Sequence, residues 1–227
     1  MQQFIKCFFF AGLLLVYQYI SAQSPGLSSA EKDSLIGLLL TADKADQQYR
    51  SNLEAIQQKY GSDAPEMKKL LQQMAAADAI NQLTVTNILD KYGWLGPAVI
   101  GQQGNRTLFM VIQHARLPIQ DKYLPMLRDA VDKGHASASQ LALLEDRVAL
   151  YHGKRQRYGS QVIWNMRTNQ YQLAPMEDPD HADARRLAAG LPPLREYLSA
   201  YGMTWDVEQF KKELPANEAV FFKRNGE

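Results

Sequence analysis

The sequence predicts a mainly α fold: a single-domain helical bundle with a long N-terminal antiparallel helix pair and one small β-hairpin. Three observations carry this reading. Apolar residues recur at three- and four-residue steps through most of the chain. Residues 159–173 alternate with period two instead. No repeat, linker or low-complexity stretch divides the 227 residues, and a 46% hydrophobic content is enough for one core.

The first 22 residues read as a secretory signal peptide. Lys6 is the one charge, Phe8 to Val16 is wholly apolar, and Ser21-Ala22 precede Gln23 as small residues. The alternative is an uncleaved anchor helix, but the apolar core is short for roughly 30 Å of hydrocarbon. Cleavage after Ala22 predicts an exported protein, periplasmic or extracellular, with no membrane span left. It removes Cys7, the single cysteine, so neither disulfides nor thiolate chemistry is expected. It also removes Lys6, leaving 24 basic groups against 24 acidic ones. That balance argues against a nucleic-acid partner, which rewards a concentrated basic surface.

The elements follow in order. Ser28 and Glu31 have the spacing of a capping box, and Leu35, Leu39, Ala42, Tyr49, Leu53, Ile56 and Tyr60 continue one long amphipathic helix up to Gly61. Pro65 opens a second, through Met67, Leu70, Met74, Ile88 and Leu89 to Tyr92. The short connection makes the two antiparallel. After a turn at residues 93–97, Thr107 to Ala115 is apolar nearly all round, the mark of a central helix. Residues 120–134 and 137–152 give two more helices. The hairpin pairs Val162, Trp164 and Met166 with Tyr171 and Leu173 across a break at residues 167–169. Asp180 caps a helix carrying Arg185 and Arg186, and Pro192-Pro193 opens another. Residues 203–227 read as a C-terminal extension, a short helix and an extended tail.

Candidate chemistry lies in three places. Asp146 and Arg147 are adjacent charges in a helix otherwise apolar around them, and adjacent helical residues do not pair with each other. They are walls of a site or locks between helices. His114, at the end of the central helix, suits a general base near neutral pH, or a structural donor to a carbonyl. Gln156, Tyr158 and Gln161 bring neutral polar groups to one turn, as suits a saccharide or peptide; the neighbouring basic residues would instead attract an anion, and a solvated turn explains the pattern equally. No zinc spacing, Gly-x-Ser-x-Gly elbow or Gly-rich phosphate loop occurs, so neither metal nor cofactor is expected. The acidic run at residues 177–183 lacks the glycine and closing glutamate of an EF-hand, and acids at a helix N-terminus explain it better.

Several motifs occur in a particular order: Tyr92-Gly93-Trp94, Gln113-His114-Ala115, Asp146-Arg147-Val148, Gln156-x-Tyr158-Gly159-Ser160-Gln161, Asp183-Ala184-Arg185-Arg186 and Gly190-Leu191-Pro192-Pro193. The series, from about Leu35 to Tyr201, resembles a bacterial family filed as the domain of unknown function 6624. The resemblance implies a mostly helical single domain and no established activity, substrate or cofactor. Its pattern falls on Gln113, His114, Asp146, Arg147, Gln156, Tyr158, Gln161, Arg185 and Arg186, and on Asp46, Arg50, Asp78 and Asn81 in the long helices. Ser160 stands where a Thr is commoner, and Leu95 where Pro usually follows the Trp.

Together these readings give an expected site. His114 would be the base, Asp146 its orienter and Arg147 an anion or oxyanion stabiliser, with Gln113, Gln156, Tyr158, Gln161, Arg185 and Arg186 binding a polar small molecule, saccharide or peptide. The competing expectation is a cell-envelope interaction or scaffold protein, whose polar residues set helix register and whose protein partner docks on the long N-terminal helices.

Overall fold

A computed structural model describes residues 26–225. The expected signal peptide, with Cys7, lies outside the described residues.

Helix α1 spans Ser29–Arg50. Its capping box is reciprocal: the Ser28 hydroxyl accepts the Glu31 N–H, and the Glu31 carboxylate accepts the Ser28 N–H at 2.9 Å. The single long helix expected up to Tyr60 is in fact broken at Ser51-Asn52. The Asn52 side-chain amide donates to the Gln48 carbonyl at 2.9 Å and so takes an acceptor that would continue the helix. The chain restarts as α2, Leu53–Tyr60, from which Gln57 donates to the Met166 carbonyl at 2.7 Å. The break thereby lets an N-terminal helix reach the hairpin.

Helix α3, Pro65–Tyr92, starts on its proline and ends at Gly93. It runs antiparallel to α1: Asn81 donates to the Ala42 carbonyl at 3.1 Å, while Asp78 pairs with Arg50. Helix α4, Pro97–His114, is interrupted by Gly101, at φ 71° and ψ 167°. Beyond it, Leu108, Phe109, Val111 and Ile112 are all buried, as a central helix requires. Helices α5, Leu117–Asp132, and α6, Ala138–Tyr151, complete this part, and α6 carries its own capping box between Ser137 and Gln140. Leu39, Val85, Leu89, Ile112, Tyr123, Leu127 and Leu144 form the core common to α1, α3, α4, α5 and α6. Removing such side chains from water is the main stabilising term, roughly 1.5–3 kcal/mol for each large one.

The hairpin pairs β1, Val162–Asn165, with β2, Gln170–Leu173, antiparallel, Val162 opposite Leu173 and Asn165 opposite Gln170. After a 3-10 turn at Pro179–His181 come α7, Ala182–Ala188, and α8, Leu194–Ser199. The last element, α9, is a helix over Val207–Asn225. This corrects the expected short helix and extended tail. Phe210 and Leu214, one turn apart, are buried with Leu173, Met176, Leu194 and Leu198 in a second core. Their burial outweighs the helical hydrogen bond that Pro215 forgoes. Among the described residues, no helix is long and apolar enough to cross a membrane.

Candidate functional site

The two cores meet at the segment between α6 and β1, and most of the predicted polar residues are spent there. Asp146 is fully buried. Its Oδ1 accepts the N–H groups of Arg157 at 2.6 Å and Tyr158 at 2.9 Å, and its Oδ2 that of Ser160 at 2.9 Å. Burial pushes its pKa up, against the downward pull of these three N–H groups. Gln156, also fully buried, donates to the carbonyls of Gln161 and Ala174 and accepts the Gln161 N–H.

Two arginines from α7 hold the same segment by its carbonyls. Arg186 donates to Tyr158 O at 2.8 Å and Pro192 O at 2.6 Å, with its guanidinium 4.8 Å from the Tyr197 ring centre. Arg185 donates to Arg157 O at 2.9 Å, to the carbonyls of Glu177 and Asp178, and to the Asp178 carboxylate. The Arg186 bonds satisfy buried or half-buried carbonyls, and the Arg185 bonds tie down carbonyls nearer the surface. Of the two roles left open for Asp146, the geometry is that of a lock.

A different group surrounds His114, the last residue of α4. Its Nδ1 lies 2.9 Å from Oδ1 of Asp46, which α1 contributes. Asp46 continues the buried stripe of Leu35, Leu39 and Ala42 and also accepts from Arg50 at 2.9 Å and Gln47 at 2.6 Å. Arg50 in turn makes a two-pronged contact with Asp78 of α3, both bonds 2.8 Å. Burial alone would raise the Asp46 pKa. The hydrogen bond and charge of His114, with the charge of Arg50, outweigh that and hold it below the ordinary carboxylate value.

The ionised Asp46 fixes the proton on Nδ1 of the imidazole. Among the described residues Nε2 has no hydrogen-bond partner. Asp46, Asp78, Asn81, His114 and Arg116 line a cleft of about 290 Å³. A fixed imidazole at a cleft wall can accept a proton from a hydroxyl or water placed against Nε2.

The structure therefore divides the predicted set. Asp146 does not orient His114; Asp46 does, from 68 residues away in sequence. Arg147 donates to Gln161 Oε1 at 2.9 Å and to the Gln113 carbonyl at 2.8 Å, and it lines another cavity. Gln113 is buried, with its amide 3.4 Å from the Leu143 carbonyl. Tyr158, half-buried, places its hydroxyl 3.4 Å from Glu145. Asp46, Arg50 and Asp78 had no assigned role. The family pattern already falls on all three, and Asp46 carries a further signal as a carboxylate on the apolar stripe of a long helix.

No curated protein and no solved structure matches this chain. A family model described as "family of unknown function (DUF6624)" matches residues 34–207. That span runs from α1 to the first residue of α9 and contains the His114 cleft and the Asp146 lock together. The chain belongs to this family.

Proposed function

We propose that the protein is exported and that its His114 cleft binds a polar small molecule, saccharide or peptide, from which His114 removes a proton. One observation carries the reading: an imidazole held at Nδ1 by a buried carboxylate lines an open cleft, with no protein partner on its Nε2 among the described residues. Asp46 fixes the tautomer and stabilises the imidazolium that forms. Arg50 and Asp78 hold Asp46 from the far side, so the base is supported through three helices. The polar lining from Asp78, Asn81 and Arg116 suits a ligand rich in hydroxyl or amide groups.

The test is a ligand screen of monosaccharides, short peptides and polyols, read through the imidazole resonances of His114. Compounds that shift them are assayed for turnover in wild type, His114→Gln and Asp46→Asn. Turnover should fall by about 100-fold or more in His114→Gln with binding largely kept. Ligands that leave the His114 resonances unmoved, or turnover that survives His114→Gln, would remove the proposal. Export is checked separately, by N-terminal sequencing of the secreted or periplasmic protein, which should begin at Gln23.

A second reading has one observation in its favour. Leu38 and Leu40 on α1 and Ile80 and Leu83 on α3 are exposed, Ile80 at 68%. Large apolar side chains on the long helix pair suit a protein-docking role. Light scattering of the purified chain separates the two readings: a stable dimer lost in Ile80→Glu/Leu83→Glu supports docking, and a monomer counts against docking between copies of this chain.

A further inference from the structure

A second cavity, of about 370 Å³, lies between α6, the hairpin and α9, away from His114. Arg147, Gln161, Gln172 and Asn217 form its polar side, and Leu173 and Phe221 face it as apolar walls. Its volume is at the small end of those that hold organic ligands.

Arg147 lines this cavity, whereas Arg186 is fully buried. Arg186 spends its guanidinium on three carbonyl oxygens and the face of Tyr197. Arg147 makes two bonds only, to Gln161 Oε1 and Gln113 O, both neutral. Among the described residues no carboxylate approaches it within 4.0 Å, and its Nη2 has no hydrogen-bond partner. Burial pulls its pKa below the ordinary value; the phenols of Tyr151 and Tyr197 oppose this, and the like charge of Arg50 adds to it. A partly buried cation with no carboxylate beside it and one donor edge free at a cavity can take an anion.

We propose that this cavity binds a small organic carboxylate, whose oxygens pair with the free edge of Arg147 while its apolar body lies against Leu173 and Phe221. Asn217 and Gln172 supply further amide groups at the rim. A single cation matches a monoanion rather than a phosphate, which would call for more donors and more positive charge. The site is independent of the His114 cleft, since no residue lines both.

Phenylacetate is the probe, titrated calorimetrically into the mature chain beside the neutral phenylacetamide and inorganic phosphate. Saturable binding of phenylacetate is expected, with the amide at least about tenfold weaker because it loses the charge-assisted bond. Phosphate should bind more weakly than phenylacetate. Affinity should drop at least about tenfold in Arg147→Met and in Asn217→Trp, which fills the cavity from α9, and should be unchanged in His114→Gln. If Arg147→Met fails to fold through loss of its bonds to Gln113 and Gln161, Asn217→Trp decides. No binding of phenylacetate, equal binding of phenylacetamide or of phosphate, retention in Asn217→Trp, or loss in His114→Gln would each overturn the assignment.

Discussion

Asp146 and Arg186 grip the backbone of one residue, Tyr158: the carboxylate accepts its N–H and the guanidinium donates to its C=O. They come from α6 and α7, on the two sides of the junction between the cores, and both are almost wholly buried. Breaking either grip leaves buried backbone groups unpaired. Asp146→Asn also turns an amide N–H toward backbone donors. Each of Asp146→Asn and Arg186→Met should cost about 3 kcal/mol. Because they share one loop, the double variant should lose less than the sum by about 1 kcal/mol or more. Urea midpoints of the four proteins measure this, and strict additivity would show that the two grips are independent.

Acid stability should report on Asp46. Its folded pKa lies below the ordinary carboxylate value, so the native state holds the proton less readily than the unfolded chain. The stabilisation from this group is complete above the unfolded pKa and is lost as pH falls through the folded one. Stability of wild type should therefore drop below about pH 4 more steeply than that of Asp46→Asn, with the two curves nearly parallel at higher pH. Urea unfolding between about pH 6 and pH 2 tests it. Parallel curves across the whole range would mean that His114 and Arg50 do not favour the carboxylate.

Gly159 sits inside the locked loop at φ 66°, and a Cβ there would stand 2.9 Å from Met176 Sδ and 3.1 Å from Leu194 Cδ1. Both backbone strain and collision oppose a side chain. Gly159→Ala should destabilise by about 2–3 kcal/mol. Gly190 has a similar φ of 71° with nothing within 4 Å of the Cβ position, so Gly190→Ala should cost only about 1 kcal/mol. The difference between the two in thermal or urea unfolding isolates the collision; equal losses would place the whole effect in φ.

Phe210 lies outside the family match yet is buried in the second core, with Trp205 at 5.4 Å between ring centres. Phe210→Ala should cost about 3 kcal/mol or more. Hydrogen exchange should show the loss first in the hairpin and α8, which share its cluster, and later in α3 and α4. A variant as stable as wild type would mean that α9 is dispensable.

Local patterns were legible in the chain, and long-range ones were not. The Ser28 capping box, the apolar face of α4 and the change of period at the hairpin are each determined within a few residues and each is found, although Met166, expected on the first strand, falls in the turn after Asn165. The break at Asn52 escaped because the apolar steps continue across it, and only the side chain's bond to Gln48 O separates the two helices. Asp146 was legible as a buried charge needing a partner, but its partners are backbone N–H groups, which every residue carries and no residue type announces. The partner of His114 was hidden by distance: Asp46 reaches it only because α1 packs against the end of α4. Nothing in the neighbourhood of either residue names the other.

The placement of the two cores along the chain also sets an order in time. The buried members of the first lie between Leu35 and Val148, so a chain emerging N-terminus first can close that core before its remainder has appeared. The second spans Leu173 to Leu214 and stays uncovered until α9 itself has emerged. A translation product stopped at residue 206 would carry a finished first half and a sticky, unroofed second half, a natural target for chaperones and proteases.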